Sequence, residues 1–270
     1  LFYYFNIIMD SQISAKLAEG SYILGQARKL GDGYENVNKH VADLGYEVIP
    51  QYSNRNITTY RKTDDPTNIH ISHKGTQPSS KTGTKDILSD IKLAFGFGNF
   101  SAQAKKRKNK SEKIVRELQP ETLTMSGHSL GGFTLNHTLS KSKLVRDNLD
   151  MAHTFNAGST PISDNDLTNI SSQGKKQLKN RVIHHRTKDD IVSKGLKLSV
   201  PFGKLQEYKL KATDKEKEHR ELHMNLLKKE TPKSKEELKK MKWNDKALYS
   251  HHLHHFSDRV LDPLIRKSKK

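Results

Sequence analysis

The serine at position 129 stands in the run Gly127-His128-Ser129-Leu130-Gly131-Gly132, directly after the apolar stretch Leu123 to Met125. A serine with glycine two residues away on either side has the pattern of a nucleophile elbow. A strand ends in a sharp turn, and the central serine is held in a sparsely populated backbone conformation at the start of a helix, its hydroxyl clear of the chain. Glycine beside so tight a bend removes the Cβ that would obstruct it. Such a hydroxyl attacks an acyl carbonyl only when a histidine takes its proton, a carboxylate orients that histidine, and hydrogen-bond donors face the developing oxyanion. The chemistry implied is acyl transfer through a covalent intermediate.

Both partners are available downstream, in the order serine, acid, histidine that goes with this kind of elbow. Asp189 and Asp190 follow the strand-like segment Arg181 to Arg186, where a strand end presents a carboxylate at the rim of a sheet; an Asp pair is also common in ordinary turns. A dense histidine cluster lies near the C-terminus: His251, His252, His254 and His255, with Leu253 and Phe256 between and after them. His251, His254 and His255 have same-face helical spacing, which also suits a solvated helix end or a metal site. No Asp, Glu or Cys completes a convincing ligand set, so neither a metal nor an organic cofactor is expected.

The elements that must position these residues alternate. Ile13, Leu17, Leu24 and Ala27 mark a helix from Ser11, and Val37, Val41 and Leu44 a second one ending at Gly45. Strand-like segments follow at Tyr46 to Ile49, Ile57 to Arg61 and Ile69 to His73. Asp86 to Phe95 is helical in pattern, and the basic run Lys105 to Lys110 leads into Ile114, Val115 and Leu118 before Pro120 stops that helix. Thr122 to Ser126 forms the strand before the elbow, and Leu130, Phe133, Leu135, Leu139 and Leu144 a helix after it. Met151 to Asn156, Arg181 to Arg186 and Leu205 to Leu210 supply further strands. This order predicts an α/β domain with a mostly parallel central sheet, helices on both faces and ligand chemistry at the carboxyl ends of the strands.

The 270 residues suffice for one such domain, and no linker divides them. Residues 11–262 are assigned to it, with a charged helical insertion near 214–246 and a basic tail at 263–270. The apolar run Leu1 to Met9 is too short to span a membrane and lacks a basic leader. It reads either as the tail of something truncated or as translation upstream of a start at Met9, and residues 1–10 are expected to be disordered or extraneous. The absence of cysteine excludes disulfides, cysteine nucleophiles and thiolate metal sites. A net charge of +18 favours anionic partners: a phospholipid surface, or nucleic acid bound without sequence preference. A second class of function follows from that charge, a catalytically silent scaffold that binds nucleic acid or membrane surfaces through Lys105 to Lys110 and the Lys-rich tail. Runs of this kind are commonly solvated helix faces, and little aromatic interleaving accompanies them.

From Asn68 to Phe256 the chain resembles the class-three lipases, esterases of the α/β-hydrolase fold. The resemblance rests on Ile69 to Thr76, ending His-Lys-Gly-Thr where that family usually has Arg-Gly-Thr or Arg-Gly-Ser, on Asp86 to Asp90, on the GHSLGG elbow, on Phe155 to Pro161 and on Asp190-Ile191-Val192. It implies that Thr76 and the backbone amide of Leu130 are the oxyanion donors and that Asp190, rather than Asp189, is the triad acid. It also implies that His251 is the base, in register with Leu253 and Phe256; His252 and His254 remain alternatives. Asp90 corresponds to an acidic residue that supports the oxyanion loop. Lys74 replaces the family's Arg, Phe133 and Thr134 stand where small apolar residues are usual, and Gln77 to Lys85 is too polar for an apolar lid helix. Ala94 to Phe100 is the better candidate for an apolar rim. The activity implied is that of a serine carboxylester hydrolase, lipase-like or phospholipase-like, on lipid or other acyl esters, in peripheral contact with anionic membrane.

Overall fold

A computed structural model describes residues 2–27, 29–75, 99–157, 170–188 and 202–208. The β-branched and aromatic segments form seven strands of one sheet: β1 (Tyr46–Val48), β2 (Ile57–Lys62), β3 (Asn68–His73), β4 (Thr122–His128), β5 (Leu149–Phe155), β6 (Val182–Thr187) and β7 (Lys204–Tyr208). Their spatial order is their chain order. β1, β2 and β3 make an antiparallel meander, and β3 to β7 run parallel. The result is a mixed, mostly parallel sheet with helices, an α/β fold.

Parallel neighbours cannot be joined by a hairpin, so each needs a crossover. The crossover segments hold α3 (Asn99–Leu118), α4 (Leu130–Lys141), α5 (Lys143–Asn148) and α6 (Ser172–Leu178). When successive strands are added in one direction, crossovers of the usual right hand all fall on one face of the sheet. On that face Ile69, Ile71, Leu123 and Met125 pack with Ile114 of α3, Leu135 and Leu139 of α4, Val145 of α5 and Leu178 of α6. The other face is covered by the N-terminal pair α1 (Phe2–Gln26) and α2 (Leu30–Val41). There Ala15 and Ala18 pack on Phe155 and Tyr208, while Leu17 and Leu24 join Val37, Val41 and Tyr60. Helices thus cover both faces, but the crossovers take one and the N-terminal pair the other.

The strands lie within two residues of their sequence-based bounds at their N-terminal ends, and Gly45 ends the second helical segment with φ 70°, in the left-handed region that favours glycine. Two expectations need correction. α1 begins at Phe2, so the segment is helical rather than disordered from that point; neither Gly nor Pro interrupts the run between Phe2 and Ser11. The helix after the elbow does not continue to Leu144. It ends at Lys141, and Ser142 starts α5 by accepting the Val145 amide on its side-chain oxygen at 3.2 Å. The expected helix at Asp86 to Phe95, the charged insertion at 214–246 and the basic tail lie outside the described residues.

Candidate active site

Parallel pairing brings the carboxyl ends of β3, β4, β5 and β6 to one edge, with His73 opposite Gly127, His128 opposite Phe155, and Phe155 opposite His185. At that edge Ser129 joins β4 to α4 with φ 54° and ψ −122°, a backbone conformation costly for any residue with a side chain. Two contacts hold it there. The Ser129 amide donates to the Phe155 carbonyl at 3.0 Å, and the first turn of α4 is pressed onto the sheet. A Cβ at Gly131 would run into the His73 carbonyl, and one at Gly127 would meet the Gly131 carbonyl carbon at 2.6 Å. The glycines therefore permit a backbone approach that over-determines the serine's strain.

Leu130 is the first residue of α4, so its amide has no acceptor within the helix. Gly75, two residues beyond β3, passes directly over the elbow. A Cβ there would lie 3.3 Å from Ser129 Cβ and would collide with the Tyr22 hydroxyl. The structure thus brings together Ser129, Leu130 and Gly75. Thr76, Asp90, Asp189, Asp190 and the cluster His251, His252, His254 and His255 lie outside the described residues, as does most of Ala94 to Phe100.

Sequence reasoning missed several residues around this edge. Tyr22 reaches from α1 to His128, with its hydroxyl 2.8 Å from Nδ1 and the two rings in an edge arrangement at 5.8 Å. The Gly75 backbone packs against the same hydroxyl, which an added Cβ would meet. Burial raises the Tyr22 pKa, so the phenol stays protonated. From the opposite face the Arg107 guanidinium donates to the Lys74 carbonyl and, at 3.2 Å, to Thr134 Oγ1. Burial lowers Arg107 to about 10, which leaves it cationic at neutral pH. Thr134, a departure from the small apolar residue of the resembled family, also lies 3.1 Å from His73 Nδ1, and the other nitrogen of that ring meets Ser111 Oγ at 3.0 Å. Behind the edge, Asn156 (φ 42°) accepts the Thr187 amide on Oδ1 at 2.9 Å.

Burial of Arg107 corrects the reading of Lys105 to Lys110 as a solvated basic face. Lys108 pairs with Glu112 at 2.9 Å, and Lys110 lies over the Tyr52 ring. Of the cations in that run, only Lys105 and Lys106 are exposed. The α1 side of the sheet carries an unusual buried polar set. His70 meets Thr124 and Ser126 hydroxyls at 2.8 Å each, and His153 meets His185, which stacks between Phe155 and Tyr208. Among the described residues no group of three or more His, Asp or Glu side chains is placed to hold a metal, and no helix is long and apolar enough to cross a membrane.

No protein-family model and no curated protein matches the chain. Solved structures of a Rhizomucor miehei lipase propeptide complex are similar to it. The native form is 17% identical with a TM-score of 0.41, over 76% of this chain and 68% of that one. A deletion mutant is 15% identical with a TM-score of 0.42, over 77% and 68%. At this level neither likeness bears on function.

Proposed function

We propose that the chain is a serine carboxylester hydrolase of the α/β-hydrolase fold, akin to the class-three lipases. The observation that carries this reading is Ser129, strained at φ 54° between the end of β4 and the start of α4, with the Gly75 backbone packed over it. Backbone strain of this kind persists only where surrounding structure holds it, and it concentrates at sites where a side chain must be presented. Ser129 attacks the acyl carbonyl as His251 takes its proton, and His251 returns that proton to the departing alcohol. Water then repeats the sequence on the acyl-enzyme. Asp190 orients the imidazole, and the Leu130 amide, at the positive end of the α4 dipole, stabilises the oxyanion with Thr76. The +18 charge favours an anionic phospholipid surface as the place of work. Incubation with a fluorophosphonate probe, followed by mapping of the labelled residue, tests the assignment. Rapid labelling of Ser129 is expected; an intact protein that reacts no faster than free serine would refute it.

A further inference from the structure

We infer that Tyr22 and Arg107 clamp the Lys74–Gly75 peptide from opposite faces of the sheet and so position the oxyanion turn over Ser129. The clamp rests on the hydrolase reading for its use in catalysis, but its geometry stands by itself. A peptide unit has two polar ends pointing in opposite directions, the carbonyl oxygen of one residue and the amide of the next. Here the Lys74 carbonyl receives the Arg107 guanidinium from α3, and the Gly75 backbone is seated against the Tyr22 hydroxyl on α1. With both sides held, the plane cannot rotate without breaking a buried, charge-assisted hydrogen bond on one side or driving the backbone into the Tyr22 hydroxyl on the other.

Each jaw is itself anchored to the elbow. The Tyr22 hydroxyl lies 2.8 Å from His128 Nδ1, next to Ser129 in the chain, and the Arg107 guanidinium lies 3.2 Å from Thr134 Oγ1 on α4, whose Oγ1 donates to the Gly131 carbonyl at 3.0 Å. The two jaws therefore reference the turn after β3 to the same strand and helix that hold Ser129. A Cβ at Gly75 would collide with the Tyr22 hydroxyl, so only glycine fits this seat. The next residue is Thr76, so the clamped peptide sets the origin from which its amide is presented. Catalysis by oxyanion donors depends on their being held in place before charge develops, and displacements of about 1 Å cost on the order of a hundredfold in rate. Tyr22 and Arg107 are thus positioning residues, not groups that touch substrate.

The test compares the full chain with Tyr22→Phe, which keeps the ring and removes the oxygen, and with Arg107→Lys, which keeps a charge and loses the fork. Two measurements are read on each, with thermal unfolding as a check that the variant is folded. In Tyr22→Phe, amide hydrogen exchange at Gly75 is expected to rise about tenfold or more, while amides inside β4 are unchanged. Turnover of a short-chain ester is expected to fall about ten- to a hundredfold in kcat in either variant, with KM and the pH profile of the rate nearly unmoved. Unchanged exchange at Gly75 in Tyr22→Phe would overturn the clamp. Faster exchange with undiminished kcat would overturn its positioning role. A wild-type chain that turns over no ester and does not react with a fluorophosphonate would overturn the hydrolase reading and the catalytic use of the clamp together, while exchange at Gly75 still reports whether the peptide is held.

Discussion

Asn156 Oδ1 accepts the Thr187 amide at 2.9 Å and so ties the end of β5 to the end of β6, two residues before Asp189 in the chain. Asn156 sits at φ 42°, where Asn is among the better tolerated non-glycine residues, and both partners are buried. Replacement by Gly keeps the backbone conformation but leaves the Thr187 amide without that acceptor. Asn156→Gly is therefore expected to lower stability by about 1–3 kcal/mol, the cost of an unmet buried donor. Asn156→Ala is expected to lose about 1 kcal/mol more, since Ala adds the positive-φ cost. Urea unfolding of the three proteins measures both terms, and an Ala variant as stable as the Gly variant would contradict the strain.

Ser129 carries two separable roles. Ser129→Ala is expected to keep the fold and to lose three to six orders of magnitude in ester turnover, roughly the loss found when a triad nucleophile is removed. Ser129→Gly is expected to be equally inactive but about 1–3 kcal/mol more stable than Ser129→Ala, because glycine adopts φ 54° without strain. Equal stability of the two variants would show that the elbow stores no strain.

The triad partners are tested by turnover. Asp190→Asn is expected to lower kcat by up to about 10⁴-fold, with Asp189→Asn near wild type. Among single Ala substitutions at His251, His252, His254 and His255, only the first is expected to abolish turnover. Loss at His252 or His254 instead would move the base within the cluster and leave the reaction class intact.

Five of the buried histidines predict acid sensitivity. Burial lowers His70 and His153 to about 3 and His184 to about 4, and it holds His73 and His185 well below the ordinary value. In the unfolded chain each takes up a proton near pH 6.5. Below that pH the unfolded state binds protons that the folded state refuses, so stability falls as pH drops, by up to about 1.4 kcal/mol per pH unit for each residue. Above pH 7 both states are neutral at these positions, and they contribute no slope. Urea midpoints measured from pH 8 to pH 5 are expected to be flat at first and to fall steeply below about 6.5. A midpoint unchanged between pH 7 and pH 5 would contradict the neutral burial of these rings.

Much of the fold was legible because its signals are local. The β-branched runs at Ile57 and Ile69, the left-handed Gly45, the stop at Pro120 and the glycine spacing around Ser129 each act through sterics within a few residues, and the strand-turn-helix at the elbow follows from them. What the tertiary structure decided is which distant groups meet. Tyr22 and His128 are 106 residues apart and touch because α1 lies across the face of the sheet opposite the crossover helices. Arg107 reads like its lysine neighbours in sequence. The rotation of α3 against α4 turns it inward to the Lys74 carbonyl and leaves Lys105 and Lys106 in water. Composition and periodicity register how many cations a helix carries, but only packing sets which one loses its water and must find an acceptor inside.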